Sequence, residues 1–253
     1  MFQDQEKENE RSVVSEIKEV PITMEHKAPH DLENSLGNAG LPRATIAASK
    51  EKPDGTPGSA ANKTVLQQHV AFWDTNQDGV ISPLDTWIGF RKLGFNLVIC
   101  TFAAIAINGA LAYATQKCWI PIIGNPFFNI YVDSIHKAKH GSDSDTYDTE
   151  GRFVPEKFEE VFSKYDRDNK GGISFKDIME MIRSNANLFD IIGTLTAITE
   201  WGALYSLCSK DGIVSKEDVR TCFDGSLFYR MAEDTKEKHQ KGVPIIKSSI
   251  KEE

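Results

Sequence analysis

The sequence lacks several features that would place it at once in a narrow class of proteins. Its four cysteines are widely spaced and form no CxxC pair, which argues against a zinc ribbon or a disulfide framework. We therefore expect them to be reduced and buried. An excess of basic residues is also missing, since the formal net charge is -8. Nucleic-acid binding requires a basic surface, so the sequence predicts no nucleic-acid partner.

A secretory signal is also missing from the N-terminus. The first residues, MFQDQEKENER, have neither the apolar run nor the small-residue cleavage site of such a signal, so we expect a cytosolic start. Residues 1–62 mix charges, prolines and glycines and show no sustained apolar periodicity. This composition predicts a flexible N-terminal arm.

The rest of the chain predicts a mainly α protein, because helical apolar periodicity begins after residue 62. From Asp133 onward the chain is polar and mostly helical in pattern. The predicted segments are an EF-hand at 63–92, an apolar membrane- or lipid-associated segment with a proline turn at 93–132, a helical EF-like domain at 133–230, and a charged tail at 231–253.

The first of these segments carries a calcium-loop pattern. Leu66, His69, Val70 and Trp73 fall on one face of a helix that runs straight into the loop DTNQDGVISPLD. An EF-hand loop supplies oxygen ligands from positions 1, 3, 5, 7, 9 and 12, with glycine at position 6 for the turn. Those positions predict a Ca²⁺ site made of Asp74, Asn76, Asp78, the carbonyl of Val80, Ser82 and Asp85, with Gly79 at the turn.

This loop departs from the usual pattern at its last position, and two later loops depart further. Asp85 replaces the usual Glu, and its shorter side chain reaches less easily around the ion, so we expect lower affinity and selectivity. The loop DRDNKGGISFKD has Lys170 at position 5, where the metal needs an oxygen, so we expect weak binding or none. The fragment SKDGIVSKED has Leu207 and Ser209 at positions 1 and 3. Because EF-hands bury their apolar faces in pairs, we expect these degenerate copies to serve packing.

A long uncharged run follows the first loop. From Leu93 to Gln116 there is no charged residue, and a run of about 20 apolar residues can cross a bilayer. Glycine and asparagine interrupt this run, and Pro121 and Pro126 then disfavour continued helix.

Three arrangements of this run are open. A simple span would separate the calcium loop from its partners across a membrane. We therefore favour a helical hairpin in lipid, turning at Asn108–Gly109 or between Pro121 and Pro126. The others are a helix packed within the protein, or at the dimer contact of a homo-oligomer, and a true span.

Several long strings identify a family. They are LPRA and GTPG in the arm, VLQQHVAFWD and GFRKLGFN around the loop, IHKAKHGSDSDTYDTEGRF, EWGALYSL and CFDGSLF. On these strings the chain, from about Leu41 to Tyr229, resembles the caleosins, calcium-dependent peroxygenases of lipid droplets. Two positions where the plant family has proline hold Cys118 and Asn129, which favours a fungal member over a seed protein.

The resemblance implies a protein with non-covalent haem b that transfers oxygen from fatty-acid hydroperoxides to unsaturated lipids. It places the chain on the cytosolic face of lipid droplets and endoplasmic reticulum, against a lipid monolayer or membrane. The residues that match the family's proposed haem ligands are His69 and His140, with His136 in reserve. No CxxCH motif for covalent attachment is present.

The histidines alone leave other readings open. A lone histidine beside Leu66 and Val70 is more often a core residue than a ligand. His136 and His140 are spaced to share a metal on a helix, but no HExxH glutamate accompanies them to form a hydrolytic zinc site. An alternative to the enzyme is a calcium-responsive coat or tether of lipid droplets without catalytic activity.

Overall fold

The computed structural model describes residues 63–118, 120 and 124–241, so the predicted N-terminal arm and the end of the charged tail lie outside it. The described chain is mainly helical, as the sequence predicted. In chain order its elements are α1 (Val65–Ala71), β1 (Val80–Ile81), α2 (Pro83–Lys92), α3 (Leu97–Thr115), β2 (Ile130–Tyr131), a 3-10 helix (Val132–Ala138), α4 (Pro155–Tyr165), β3 (Gly172–Ser174), α5 (Phe175–Asn185), α6 (Ile191–Cys208), β4 (Ile213–Ser215), α7 (Lys216–Phe223) and α8 (Ser226–Gln240).

Capping boxes fix the start of the helix that follows each of the first two acidic loops. The Ser82 side chain accepts a hydrogen bond from the amide of Asp85, and the Asp85 carboxylate accepts one from the amide of Ser82. Ser174 and Asp177 form the same reciprocal pair before α5. Each box satisfies amides that the first helical turn would leave without partners. The same residues thus end a loop and begin a helix.

The short strands join the helix-loop-helix units in two pairs. β1 pairs antiparallel with β2, placing Ile81 opposite Ile130, and β3 pairs with β4, placing Ile173 opposite Val214. All four of these side chains are buried. The first acidic loop therefore pairs with the segment that follows α3, and the second pairs with the third. The expected pairing of the first loop with a degenerate copy is therefore not seen in the described chain, because the strand of the first loop pairs with β2 and the two degenerate copies pair with each other.

Two clusters of buried side chains lie behind these strand pairs. The larger is built from α4 to α8 around Phe158, Ile173 and Val214, none of which is accessible to solvent. The smaller joins α1, α3 and the 3-10 helix, where Val70 packs with Ile81 and Ile135. Helices α1 and α7 also pack together, which joins the two halves of the described chain.

Helix α3 is uninterrupted from Leu97 to Thr115, so the predicted turn at Asn108–Gly109 is wrong. Asn108 is only 1% exposed. Its amide donates to the carbonyls of Ile81 and Phe128, at 3.1 and 2.9 Å, and its side-chain oxygen accepts from the Thr86 hydroxyl at 2.7 Å. The polar side chain is therefore fully hydrogen-bonded within the protein, and it needs no break in the helix.

The pairing of β1 with β2 also bears on the predicted membrane arrangement. Ile81 precedes α2 and Ile130 follows α3, yet the two residues lie opposite each other. Helix α2 packs along α3 and carries Asp85, Arg91 and Lys92, which do not suit a bilayer core. The chain before α2 and the chain after α3 therefore meet at one strand pair, an arrangement that disfavours α3 as a single membrane span.

The second apolar helix was missed by the sequence analysis, which treated the chain beyond Asp133 as polar. Helix α6 has a mean hydropathy of 1.2 over 18 residues, compared with 2.0 for α3. Both are long and apolar enough to cross a membrane by length and composition, and neither is mostly buried in the protein. The Gly and Thr residues spread through α6 hide its apolar character from a search for Leu- and Ile-rich runs.

All four cysteines are free, in agreement with the expectation from their spacing. Cys100 and Cys208 are buried and Cys222 is partly buried. Cys118 is exposed, so the expectation of burial was wrong for this residue.

Replacing Asn108 tests its structural role. Asn108→Ala removes three hydrogen bonds and leaves two buried carbonyls and the Thr86 hydroxyl without these partners. We expect a loss of about 2–4 kcal/mol in the free energy of unfolding, seen as a lower urea midpoint at an unchanged slope. The control is Thr101→Ala on the exposed side of the same helix, which should cost about 0.5 kcal/mol or less. Equal losses in the two variants would contradict this role.

Candidate functional site

The first acidic loop begins at the end of α1 and is organised around Asp74. The two oxygens of this buried carboxylate accept hydrogen bonds from the amides of Asp78 and Gly79, at 3.1 and 2.9 Å. Gly79 has a φ of 81°, in the left-handed region that favours glycine. The turn at position 6 therefore depends on the residue type that the loop pattern requires there.

The remaining predicted calcium ligands lie in the same loop and are bonded to one another or to their neighbours. Asn76 donates its side-chain amide to Asp78 at 2.8 Å. Asp85 accepts from the hydroxyls of Ser82 and Thr75, at 2.6 and 2.5 Å. Burial raises the pKa of Asp85, but these hydrogen bonds outweigh it and bring the pKa below its ordinary value. Asp85 is therefore ionised at neutral pH.

The donor types of this loop suit a hard divalent cation, since all are oxygens. In the described part of the chain, no three or more His, Cys, Asp or Glu side chains stand as a preformed metal-binding group. An arriving ion would have to draw Asp78 and Asp85 away from their present hydrogen bonds. Binding at this loop would therefore be coupled to a local rearrangement of side chains.

The second acidic loop holds a cation that belongs to the chain itself. The ammonium of Lys170 lies 2.5 Å from Asp168, 3.0 Å from Asp177 and 3.4 Å from Asp166. These are the carboxylates at positions 3, 12 and 1 of the loop pattern. Burial alone would lower the pKa of Lys170, but the carboxylates raise it well above its ordinary value. Lys170 thus places a fixed positive charge where a metal ion would lie.

His69 lies on α1, five residues before Asp74, and its ring is held from the C-terminal half of the chain. Its Nδ1 is 2.7 Å from the backbone carbonyl of Cys222. A carbonyl can only accept, so Nδ1 carries the hydrogen and donates it. Burial lowers the pKa of His69, more than this hydrogen bond raises it. The ring is therefore neutral at pH 7, and Nε2 keeps its lone pair free to bind a metal.

The turn between α7 and α8 fixes the position of this histidine. Gly225, with a φ of 81°, lies directly against α1: a Cβ at this residue would be 2.7 Å from the Gln68 carbonyl oxygen and 2.8 Å from the His69 Cα. The Phe228 ring meets the His69 ring edge-on, with 5.2 Å between centroids. The backbone and the ring of His69 are thus both held by one turn.

The other two candidate histidines lie elsewhere. His140 follows the 3-10 helix, and its buried Nδ1 makes no hydrogen bond, with the nearest carboxylate oxygen, on Asp190, at 3.7 Å. His136 is partly buried within the 3-10 helix. The contacts of His69 and His140 involve different elements, α7–α8 for the first and the start of α6 for the second.

Two partners of the site escaped the sequence analysis. The carbonyl of Cys222 is a backbone group and has no signature in the sequence. Phe228 lies in the string CFDGSLF, which was noted only as a family resemblance. The signal that could have found this turn is its Asp-Gly pair between two helical patterns, which predicts a tight turn.

Removing the internal cation of the second loop should convert it into a metal site. Lys170→Asn places an oxygen at position 5 and leaves three carboxylates around a vacant centre, so we expect one additional calcium per chain in isothermal titration calorimetry. Lys176→Asn removes the same charge from an exposed position near the loop and should leave the stoichiometry unchanged. An unchanged stoichiometry in Lys170→Asn would show that the ammonium is not what excludes the metal.

The pKa of His69 predicts a dependence of stability on pH. Its pKa is lower in the folded state than the ordinary unfolded value of about 6.5. The unfolded state therefore binds more protons below that pH, and the contribution of His69 to stability is lost as the pH falls. From about pH 7.5 to about pH 5.5, the melting temperature of the haem-free protein should fall more than that of His69→Gln. His239→Gln should behave like the unchanged chain, and identical pH profiles for all three would contradict the shift.

Comparison with known proteins identifies the family of this chain. A family model described as "Caleosin related protein" matches residues 61–232. A "Peroxygenase" of Lilium longiflorum is 40% identical over 225 residues, covering 88% of this chain and 93% of the lily protein. The "Probable peroxygenase 4" of Arabidopsis thaliana is 37% identical, covering 71% of this chain and 91% of that protein.

A third relative, the "Probable inactive peroxygenase-like protein" of Arabidopsis thaliana, is 33% identical over 56% of this chain and 67% of its own length. No solved structure matches the chain. These relatives come from plants, so the expectation of a fungal member is not borne out. The match of the family model to most of the described residues, and a relative that aligns over nearly its whole length, lead to one conclusion: the chain belongs to the caleosin family.

Proposed function

We propose that this chain is a calcium-dependent haem peroxygenase that transfers oxygen from fatty-acid hydroperoxides to unsaturated lipids. The observation that carries the proposal is the state of His69. Its Nδ1–H is bonded to the Cys222 carbonyl at 2.7 Å, and its neutral ring leaves Nε2 free. Metal-binding histidines almost always donate their other ring N–H to a carbonyl, carboxylate or water, as the Nδ1 of His69 does. The names of the lily and Arabidopsis relatives give the reaction class.

Haem bound through a histidine supplies an iron that activates a hydroperoxide for transfer of one oxygen atom. The residues of this chain bind the haem iron and orient its ligand. His69 is the proposed iron ligand, and the Cys222 carbonyl keeps its Nδ1 protonated. Phe228 packs edge-on against the ring and limits its rotation. His140, whose buried Nδ1 has no hydrogen bond, is proposed as the second ligand, with His136 in reserve.

The calcium loop is suited to control this site because both are joined to the same helix. Asp74 begins the loop just after α1, and its negative charge, together with burial, raises the pKa of Tyr229. The Tyr229 ring also contacts Phe72 edge-on at 5.2 Å. Tyr229 follows Phe228, the residue that packs on His69. We propose that a Ca²⁺ held by Asp74, Asn76, Asp78, Val80, Ser82 and Asp85 neutralises this charge and fixes α1, and with it His69.

A lipid surface is the proposed location of the reaction. Leu97, Val98, Phe102 and Ile105 expose large apolar side chains along the outer face of α3. This face can rest in a monolayer or a membrane, with the loops on the cytosolic side of lipid droplets or endoplasmic reticulum. Substrates with long acyl chains are concentrated there. Residues of the opposite face, including Asn108, remain packed in the protein.

A second candidate function is a calcium-responsive coat or tether of lipid droplets without catalysis. The Arabidopsis thaliana relative named "Probable inactive peroxygenase-like protein" supports the possibility of a family member without catalysis. Both functions use the same loop and the same apolar helix. The two functions differ in whether the protein binds haem iron, so a measurement of haem binding distinguishes them.

The absorption spectrum of the purified protein with added haem is the first test. We expect a Soret band that remains with the protein in gel filtration, and we expect it to be lost in His69→Ala along with peroxygenase activity. His239→Ala, at the end of α8, should change neither. A Soret band of the same position and intensity in His69→Ala would remove His69 from the site, and complete absence of haem binding by the unchanged chain would favour the coat or tether.

Calcium dependence is tested separately from haem. Asp74→Ala removes the carboxylate at position 1, and we expect it to abolish activity as fully as a calcium chelator does. Asp211→Ala in the third loop is the matched control and should remain active and sensitive to the chelator. Activity that survives both the Asp74 change and the chelator would show that calcium is not required for turnover.

A further inference from the structure

A second apolar surface lies far along the chain from α3. It consists of the tip of the loop between α5 and α6 and the first three turns of α6, and we call it the α6 face. Phe189 is 92% exposed and Ile192 is 75% exposed. Soluble proteins rarely expose contiguous apolar patches without a partner for them. The members of the α6 face are Leu188, Phe189, Ile191, Ile192, Leu195 and Ile198.

The exposure of this face does not result from a loose loop. Asp190 caps α6 by accepting from the Gly193 amide at 2.9 Å, and it also accepts from the Ser142 hydroxyl at 2.9 Å. The Ser142 hydroxyl in turn accepts from the amide of Asn187 at 3.1 Å. Hydrogen bonds to Ser142 therefore hold the loop at Asn187 and at Asp190, on either side of Phe189. The side chain of Phe189 is exposed although the loop around it is ordered by these bonds.

Every hydroxyl in the first three turns of α6 is satisfied within the protein. Thr194, Thr196 and Thr199 donate to the carbonyls four residues earlier, at 2.9, 3.0 and 2.8 Å. In hydrocarbon a polar group must find its partner internally, because no water is available. Residues 191–199 of α6 contain no charged side chain, and the next residue, Glu200, is exposed and lies about 140° around the helix axis from Leu195. The six members of the α6 face are all apolar side chains.

This chemistry favours lipid over protein as the partner. Protein interfaces carry roughly one hydrogen bond per 100–200 Å² and a polar rim, whereas the α6 face consists of exposed apolar side chains, and the threonine hydroxyls beside it already donate within the protein. A lipid layer requires only apolar area and needs no matching shape. Arg183, exposed in the last turn of α5, forms no ion pair among the described residues and lies at the same end of the hairpin as the loop. A phosphate head group would complement its charge.

We propose that the α6 face is a second lipid-docking surface, which enters a phospholipid layer independently of α3. The loop tip and the first turns of α6 lie among the acyl chains, while Asp190 and Ser142 stay outside the acyl-chain region. The proposal does not depend on haem or on peroxygenase activity.

The test is the partition of the full chain onto phosphatidylcholine vesicles, measured by flotation. The double variant Ile192→Gln with Leu195→Gln removes two exposed apolar side chains, and we expect its partition coefficient to fall about tenfold or more. The matched control, Ile192→Leu with Leu195→Met, keeps the apolar area and should bind as the unchanged chain does. Both variants change the same two exposed residues. An unchanged helical circular dichroism spectrum and unchanged calcium binding would establish that the variants fold.

Two results would overturn the proposal. The first is an equal partition coefficient for the Gln double variant and the unchanged chain, with α3 intact in both. The second is a dimer of the unchanged chain in lipid-free buffer that the Gln double variant converts to monomers, because the face would then be covered by a second copy. A tenfold loss of partition together with an unchanged molecular mass in buffer would support lipid as the partner.

Discussion

The close approach of the α7–α8 turn to α1 is the contact on which the two halves of the described chain depend. Gly225 leaves no room for a side chain between this turn and the backbone of Gln68 and His69. Only at this distance can the Cys222 carbonyl reach the His69 ring and Phe228 pack against it. The site is therefore built from residues more than 150 positions apart, and its geometry is set by backbone packing. The helix that carries His69 also leads into the first acidic loop, so the loop and the histidine share one rigid element.

The two acidic loops differ in their internal charge. The second has its centre occupied by the ammonium of Lys170, which contacts the carboxylates of Asp166, Asp168 and Asp177. It packs through β3 and β4 against the third loop, around the fully buried Ile173 and Val214. The first loop has no such internal charge and lies next to the helix of His69. If the first loop binds calcium as proposed, the ion lies next to the helix that carries His69.

The sequence predicted what depends on local pattern. The turn of the acidic loop at Gly79 and the mainly helical fold followed from residue types at fixed spacing. The pairing of β1 with β2 could not be predicted, because Ile81 and Ile130 are brought together only when α3 folds back along α2. Asn108 suggested a turn because its partners, two distant carbonyls and Thr86, are invisible in the sequence. The Cys222 carbonyl is hidden for the same reason, since a backbone acceptor is present at every residue.

The strand pair that joins β1 to β2 also limits how deeply the protein can enter an oil phase. Helix α3 packs along α2 and is bonded to the protein through Asn108, so on a lipid surface only its outer side could leave water, and a helix lying in this way sinks by about 5–10 Å. That depth reaches the upper acyl carbons beneath the head groups and leaves the neutral oil of a droplet untouched. Attachment of this kind exchanges with solution, whereas an integral membrane helix remains in place. An enzyme held so shallowly would meet acyl chains that bend toward the surface before it met those stored below.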